Sequence, residues 1–502
     1  MRVSDYIISF LLDKYNIDTY FLVSGGGCIF LIDSIGSNTK VKYIATHHEQ
    51  VASIAAEGYA RINNQLSACV VTSGPGGTNA ITGVLGAWLD SIPMIIISGQ
   101  VNKQMTTNYT NLNLRQLGDQ EFNIVKSVEN MTKYAVQIND PESVRYHFEK
   151  ACKLALHGRP GPVWLDIPLD IQSADINPET LNGYNEELQE YRPEANLVEK
   201  VYDQLKISAK PLLVVGNGVR LSNGIENLHK LINKLQIPVI SAVNGNDIVN
   251  SDYKYYCGRF GTHAQICANN LLNECDLLLS IGSRLYIRQI GYDFKNFAKN
   301  AYKIYVDVDE NELNKPTLFP DLKIQSDANL FLKELINYPI QSANKEWSEY
   351  CYNLYKTTDR VLPKHRNNKL FISHYAFIEK LSEKIPSEYN IVTSDGSANV
   401  VTMQVMNTKN KQRLITNTGS APMGYGLPCA IGASINHKIV CIEGDGSLHL
   451  NLNALETMKH YNLPIKLILL NNNGYLSIKL TQKALFNGRL VASDSSSGVT
   501  FP

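Results

Sequence analysis

KIVCIEGDG (Lys438–Gly446), followed after 24 residues by Asn471-Asn472, is the stretch that decides the fold. Lys438–Glu443 is a short apolar strand, and Gly444-Asp445-Gly446 turns tightly at its carboxyl end. Asn451–Tyr461 follows with Leu452, Leu455, Met458 and Tyr461 spaced three apart, which predicts a helix with one apolar face. Ile465–Leu470 (IKLILL) reads as the next buried strand, ended by Asn471-Asn472. In a parallel strand–helix–strand unit both strand ends lie on one side of the sheet, so Asp445 and Asn472 are expected to meet. A carboxylate and an amide oxygen so placed suit a hard divalent cation that also takes phosphate oxygens.

The same alternation extends outward. Ser67–Thr72, Met94–Ser98 and Val163–Ile167 are short apolar runs of the kind found in a buried parallel sheet. Gln172–Asn196 is polar, with Pro178, Gly183 and Pro193, and interrupts the pattern. Pro211–Gly216, Ile237–Ser241, Asp276–Gly282 and Ala301–Val308 form a second run. Tyr338–Lys369 is expected to be irregular and charged. The predicted fold class is α/β, with three domains at 1–172, 190–338 and 370–502, each a mainly parallel sheet flanked by helices.

Composition narrows the function. Lys plus Arg equals Asp plus Glu at 47 each, so no net field points to nucleic acid or to a membrane surface. No apolar run reaches spanning length, and the amino-terminal segment is interrupted by Asp5, Asp13 and Lys14. It reads as an amphipathic first helix and not as a signal peptide. Nine scattered cysteines without a Cys-x-x-Cys pair predict reduced core thiols in a cytoplasmic protein. Gly216-Asn217-Gly218 follows a strand, but Leu221 stands where the last glycine of a dinucleotide fingerprint belongs, which argues against a hydride-transferring dehydrogenase.

The Gly-Asp-Gly to Asn-Asn interval is the metal–diphosphate signature of thiamine diphosphate enzymes, and the sequence resembles that family over nearly its whole length. Ala45–Arg61 (ATHHEQVASIAAEGYAR), Thr72–Asn79 (TSGPGGTN), Asp90–Pro93 (DSIP), Ser98–Gln100 (SGQ), Gly158–Asp166 (GRPGPVWLD) and Thr418–Ala430 (TGSAPMGYGLPCA) are similar to the acetohydroxyacid synthase (acetolactate synthase) large-subunit group. The resemblance implies pyrimidine-binding, central dinucleotide-fold-like and diphosphate-binding domains in that order. Glu49 would hydrogen-bond the cofactor pyrimidine, and burial would raise its pKa toward neutrality. Gln120 falls on the active-site glutamine. Asp445, Asn472 and the carbonyl of Gly474 would hold Mg²⁺. Gly26, Gly27, Pro75, Asn79, Ser397, Met423, Gly444, Gly446 and Ser447 would line the cofactor, with Met423 propping its bent shape. FAD is a further cofactor that the group carries without using it for redox chemistry, and Arg159, His263, Arg284, Asp307 and Asp309 lie in the corresponding stretches. Relatives with this fold occur with and without it.

The implied activity is decarboxylation of pyruvate or another 2-keto acid and transfer of the two-carbon hydroxyethyl carbanion to a carbonyl acceptor, as in branched-chain amino acid biosynthesis. Glu49 of one chain would serve the cofactor held by Asp445 of another, which implies a homodimer or homotetramer with small-molecule substrates, no nucleic acid and no membrane. Two departures bear on the acceptor. Thr481 stands in place of a tryptophan and Asp119 in place of a phenylalanine. Both make the pocket larger and more polar, as in relatives that add two carbons to a keto sugar for surface glycans. Relatives also continue for many tens of residues past Asn472, so the last domain is expected to be C-terminally truncated. A 2-keto acid decarboxylase and a non-catalytic cofactor-binding homologue are the alternative readings.

Overall fold

The computed structural model describes residues 1–110, 112–340 and 342–500. Six parallel strands form the first sheet: β1 (Thr19–Leu22), β2 (Lys42–Ala45), β3 (Ser67–Val71), β4 (Met94–Gln100), β5 (Ala135–Gln137) and β6 (Pro162–Pro168), in the order β2-β1-β3-β4-β6-β5. Every residue of β3, β4 and β6 is buried, as expected where helices cover both faces of a parallel sheet. A second six-stranded parallel sheet holds β7 (Pro211–Val215), β8 (Val239–Ser241), β9 (Tyr256–Arg259), β10 (Leu277–Ile281), β11 (Tyr302–Asp307) and β12 (Leu322–Gln325). Beyond these, β13 (Tyr389–Thr393) pairs in parallel with β14 (Leu414–Ile415), and β15 (Lys438–Gly444) pairs in parallel with β16 (Ile465–Leu470).

The chain divides into two compact units, Met1–Leu188 with Asn417–Pro502, and Gln189–Thr416. In the second unit, the segment expected to be irregular contains a helix, Lys345–Thr357, that buries Trp347, Cys351 and Tyr355. Its apolar residues recur at i, i+4 and i+8, but the intervening charges hid the period. In the first unit, the helix expected over Asn451–Tyr461 is shorter, Ala454–His460. Leu452 lies in the preceding turn and is exposed, whereas Leu455, Met458 and Tyr461 pack on the core. All nine cysteines are free and buried. No described helix is long and apolar enough to cross a membrane.

One helix organises the first unit. Glu49–Asn63 begins at His48, whose Nδ1 accepts from Gln50 N at 3.1 Å, and ends at Asn64 in the left-handed region, φ 53°. Val51 through Ile62 are all buried, because the helix is enclosed between β1 and β3, the Pro75–Asp90 helix and the Gly426–Ala433 helix. Its contact with Gly426–Ala433 is backbone to backbone. A Cβ on Gly432 would lie 1.7 Å from the Ala55 carbonyl oxygen, and one on Gly58 would lie 2.2 Å from that of Cys429.

Polar side chains close the same interface. Arg61 bridges Glu57 at 2.6 Å and Asp90 at 2.7 Å, with all three side chains nearly inaccessible. Burial pushes the Glu57 carboxyl up, and Arg61 opposes this. Asn417 Nδ2 also donates to Glu57, and the Thr418 and Gly419 amides donate to Asp90, each at 3.0 Å. Neutral donors thus add to the guanidinium's bonds at Glu57 Oε1 and at Asp90, while Glu57 Oε2 is buried and accepts none.

A second buried carboxyl, Asp166 in β6, accepts from Ser98 Oγ at 2.6 Å, Gln137 Nε2 at 3.0 Å and Gln100 Nε2 at 3.2 Å. Burial outweighs these donors and pushes its pKa up to about 6.

Two predictions follow from this packing. Gly432→Ala forces the two helices apart and should cost at least about 1–3 kcal/mol, the range for an overpacked core, read as a lower urea midpoint; an unchanged midpoint contradicts the contact. Asp166 contributes a pH dependence of stability between about pH 4 and 6. Below about pH 4 the carboxyl is protonated in both folded and unfolded chains. As pH rises toward 6 the unfolded chain ionises first, so stability falls, by an amount on the order of 2–3 kcal/mol once both are ionised. Asp166→Asn should flatten this part of the pH–stability curve, and a variant curve parallel to the parent's would show that the group is not responsible.

Candidate functional site

The carboxyl end of β15 is built from its own turn. Gly444 stands before the short helix Asp445–Leu448, and Asp445 is buried. Its Oδ1 accepts from Gly446 N at 2.9 Å, and its Oδ2 accepts from Asn472 N at 3.2 Å and Gly474 N at 3.1 Å. β15 and β16 pair in parallel from Ile439↔Ile465 to Gly444↔Leu470, so their ends align and bring Asn472 to Asp445. This is the meeting expected from the strand–helix–strand reading.

Asn472 Oδ1 is buried and accepts no hydrogen bond. An amide oxygen in that state is costly unless something electropositive faces it. Beside an aspartate with lone pairs to spare, it fits a hard cation such as Mg²⁺. Among the described residues no group of three His, Cys, Asp or Glu forms a metal cage, so any cation here relies on this mixed carboxylate–amide set. Gly474 adopts φ 142°, and a Cβ there would lie 2.4 Å from the Ser493 carbonyl oxygen. Lys479 Nζ donates to the Asn472 and Asn473 carbonyls at 3.2 and 3.0 Å and braces the same loop.

Met423 reaches this set through its loop. Gly424 N donates to Ser447 Oγ at 2.8 Å, and Asn451 Nδ2 donates to Gly424 O at 2.7 Å. At the other end of the loop, Asn417 Oδ1 accepts from the Ser420 and Ala421 amides, while Asn417 itself is held by Glu57. Met423 is 37% exposed between these anchors.

The second set lies at the ends of β1 and β3. Glu49 opens its helix, is half-buried, and accepts from Asn79 Nδ2 at 3.0 Å. Asn79 stands one turn into the helix that Pro75 starts, where a missing N–H costs nothing. Thr72 joins the parts: its Oγ1 accepts from Gly27 N at 3.0 Å, and a Cβ on Gly76 would lie 2.8 Å from its Cγ2 and 3.6 Å from Glu49 Oε1. Gly26 and Gly27 form the first turn after β1. The hydrogen bond of Glu49 ends within this set and does not reach Asp445.

The remaining residues stand apart. Ser397 is half-buried in the first turn of the Gly396–Val405 helix, after β13, in the other compact unit. Gln120 and Asp119 are exposed, and Gln120 has φ 57°. Thr481 is exposed on the Leu476–Leu485 helix, and its hydroxyl donates to its own helix at Ser477 O. His263, Arg284 and Asp307 lie at or just beyond the carboxyl ends of β9, β10 and β11, and Asp309 caps the helix after β11. Arg159 donates to Ser91 Oγ at 2.9 Å.

Sequence reasoning missed Glu57, Arg61, Asp90 and Lys479 as supporting residues. Glu57, Arg61 and Asp90 stood inside quoted stretches, and charges at otherwise apolar or small-residue helix positions were the available signal.

Three family models match the chain: the N-terminal TPP binding domain of thiamine pyrophosphate enzymes over residues 1–126, the central domain over 198–335, and the C-terminal TPP binding domain over 395–501. The chain is 32% identical to the acetolactate synthase isozyme 2 large subunit of Escherichia coli K12, covering 95% of this chain and 84% of that protein. It is 30% identical to the acetolactate synthase large subunits of Cyanidium caldarium, covering 97% and 84%, and of Lactococcus lactis, covering 95% and 82%. With three matching domains in order and this identity over nearly all of its length, the chain belongs to the acetolactate synthase large-subunit family of thiamine pyrophosphate enzymes.

Proposed function

We propose that the protein is a thiamine diphosphate- and Mg²⁺-dependent carboligase that decarboxylates pyruvate and passes the two-carbon unit to a carbonyl acceptor. The observation that carries this reading is the buried, unpaired Asn472 Oδ1 beside Asp445 at the ends of β15 and β16. Thiamine diphosphate, when bound, supplies a nucleophilic carbon that can take up a 2-keto acid and stabilise charge after loss of CO₂. The chain's part is to bind, orient and move protons.

Asp445, Asn472 and the Gly474 carbonyl would hold the metal, with Gly444, Gly446 and Ser447 beside the diphosphate. Met423, on a loop tied at both ends, would support the cofactor's bent shape. Glu49 would exchange a proton with the pyrimidine ring, held in place by Asn79, while Gly26, Gly27 and Pro75 would line the cofactor. In keeping with the family resemblance, a homodimer or homotetramer is proposed in which one chain's Glu49 serves another chain's Asp445. His263, Arg284, Asp307 and Asp309 stand by the strand ends of the central sheet, and a flavin absorbance band in the purified protein reads directly whether they hold FAD.

The acceptor is taken to be larger or more polar than a second 2-keto acid. Asp119 and Thr481 support this: neither offers the broad apolar contact of an aromatic ring, and a carboxylate disfavours the acceptor's own carboxylate by roughly 1–4 kcal/mol at close range.

Glu49→Gln is nearly isosteric and should leave the fold intact while slowing proton exchange at the reactive carbon of the cofactor by about 10²–10⁴-fold, the usual scale for one acid–base group. Hydrogen–deuterium exchange followed by NMR measures this, and a parent-like rate removes Glu49 from the role. Labelled pyruvate offered with a keto sugar should give a two-carbon-extended sugar in preference to acetolactate. Acetolactate alone would favour a plain synthase, and acetaldehyde alone would mark a decarboxylase.

A further inference from the structure

Glu121, next to the exposed Gln120, is 4% exposed. One of its oxygens accepts from Thr107 N at 3.0 Å and Thr107 Oγ1 at 2.8 Å, and the other accepts from Leu117 N at 3.2 Å. A single carboxylate therefore ties both ends of the segment between residues 107 and 117 to residue 121, using three neutral donors. On the other side, Gln100, 1% exposed in β4, donates to Phe122 O at 2.9 Å and to Asp166 at 3.2 Å. Gln120 is thus held through the two residues that follow it.

Its backbone also leaves no slack. Gln120 is in the left-handed region, φ 57°, and faces Gly74, φ 59°, where a Cβ would lie 2.4 Å from the Gln120 carbonyl oxygen. Gly74 precedes the helix that carries Asn79, and Asn79 holds Glu49. The residues that would meet the acceptor, Asp119 and Gln120, are exposed on a support that is itself buried.

We propose that Glu121 is a positioning residue for the acceptor: it touches no reacting atom, and it sets where Gln120 and Asp119 stand. The proposal rests on the carboligase reading above. Removing the carboxylate frees three donors at once, and none of them belongs to the Glu49–Asn79 pair or to the Asp445 set. A displacement of about 1 Å in such a support can cost about 100-fold in a reaction that depends on orientation.

The experiment compares the parent holoenzyme with Glu121→Ala and Glu121→Gln in three measurements: deuterium exchange at the reactive carbon of the cofactor, the KM for the acceptor, and the ratio of carboligation product to released aldehyde. Glu121→Ala should keep exchange within about 2-fold while raising the acceptor KM by about 10- to 100-fold and shifting product toward aldehyde. Glu121→Gln keeps one oxygen for Thr107 and should lie between the two, which preserves the test if the alanine variant does not fold. A parent-like KM and product ratio in Glu121→Gln, or a loss of exchange equal to the loss of carboligation, overturns the proposal. If the parent makes no carboligation product, the carboligase reading falls and takes this proposal with it, an outcome visible before any variant is made.

Discussion

Both halves of the candidate site in the first compact unit depend on the backbone contact between the Glu49–Asn63 and Gly426–Ala433 helices. Gly432 against Ala55 and Gly58 against Cys429 allow an approach that any side chain would prevent. Glu49 opens one of these helices, and the loop carrying Met423 runs into the other. Contacts of this kind are steep: main chain cannot rotate away as a side chain can, so the spacing is set within tenths of an ångström.

Charge then fixes what shape alone would leave adjustable. Glu57, Arg61 and Asp90 are buried at this interface with more carboxyl groups than guanidinium, and Asn417 and the amides of Thr418 and Gly419 supply part of the difference. Such a cluster contributes little net stability compared with a well-packed apolar core, because desolvation offsets most of the attraction. Its effect is on the loop: Asn417, Thr418 and Gly419 are each bonded to a carboxylate of the cluster, which ties the start of the Asn417–Gly424 loop to the Glu49–Asn63 and Pro75–Asp90 helices. Asp166 does the same in the first sheet by gathering Ser98, Gln100 and Gln137 under the segment that carries Gln120.

Much of the fold was legible because the inner strands β3, β4, β6, β7 and β10 are short, apolar and buried along their whole length, the clearest pattern a parallel sheet writes into a sequence, whereas in β16, expected to be buried, only Leu470 is. Predicted and observed strand ends differ by a residue or two in most cases, and β16 agrees at both ends. Reading failed where periods were mixed with charge. Lys345–Thr357 buries three residues at helical spacing inside a charged segment, and Leu452 has helical spacing but stands in a turn. In both cases the local pattern competed with composition, and only packing decided.

The sequence by itself determined the meeting of Asp445 with Asn472. Two short strands joined by one helix must place their carboxyl ends side by side, and the residue types at those ends state the chemistry. The structure adds that Glu49 opens a helix capped by the His48 side chain. Tertiary structure alone decided what supports these residues. Glu57 and Asn417 are 360 positions apart, and Asp90 and Thr418 are 328 apart. No periodicity spans such distances, because a buried charge selects its partners by proximity after the chain has folded, and that proximity is absent from any local stretch of residues.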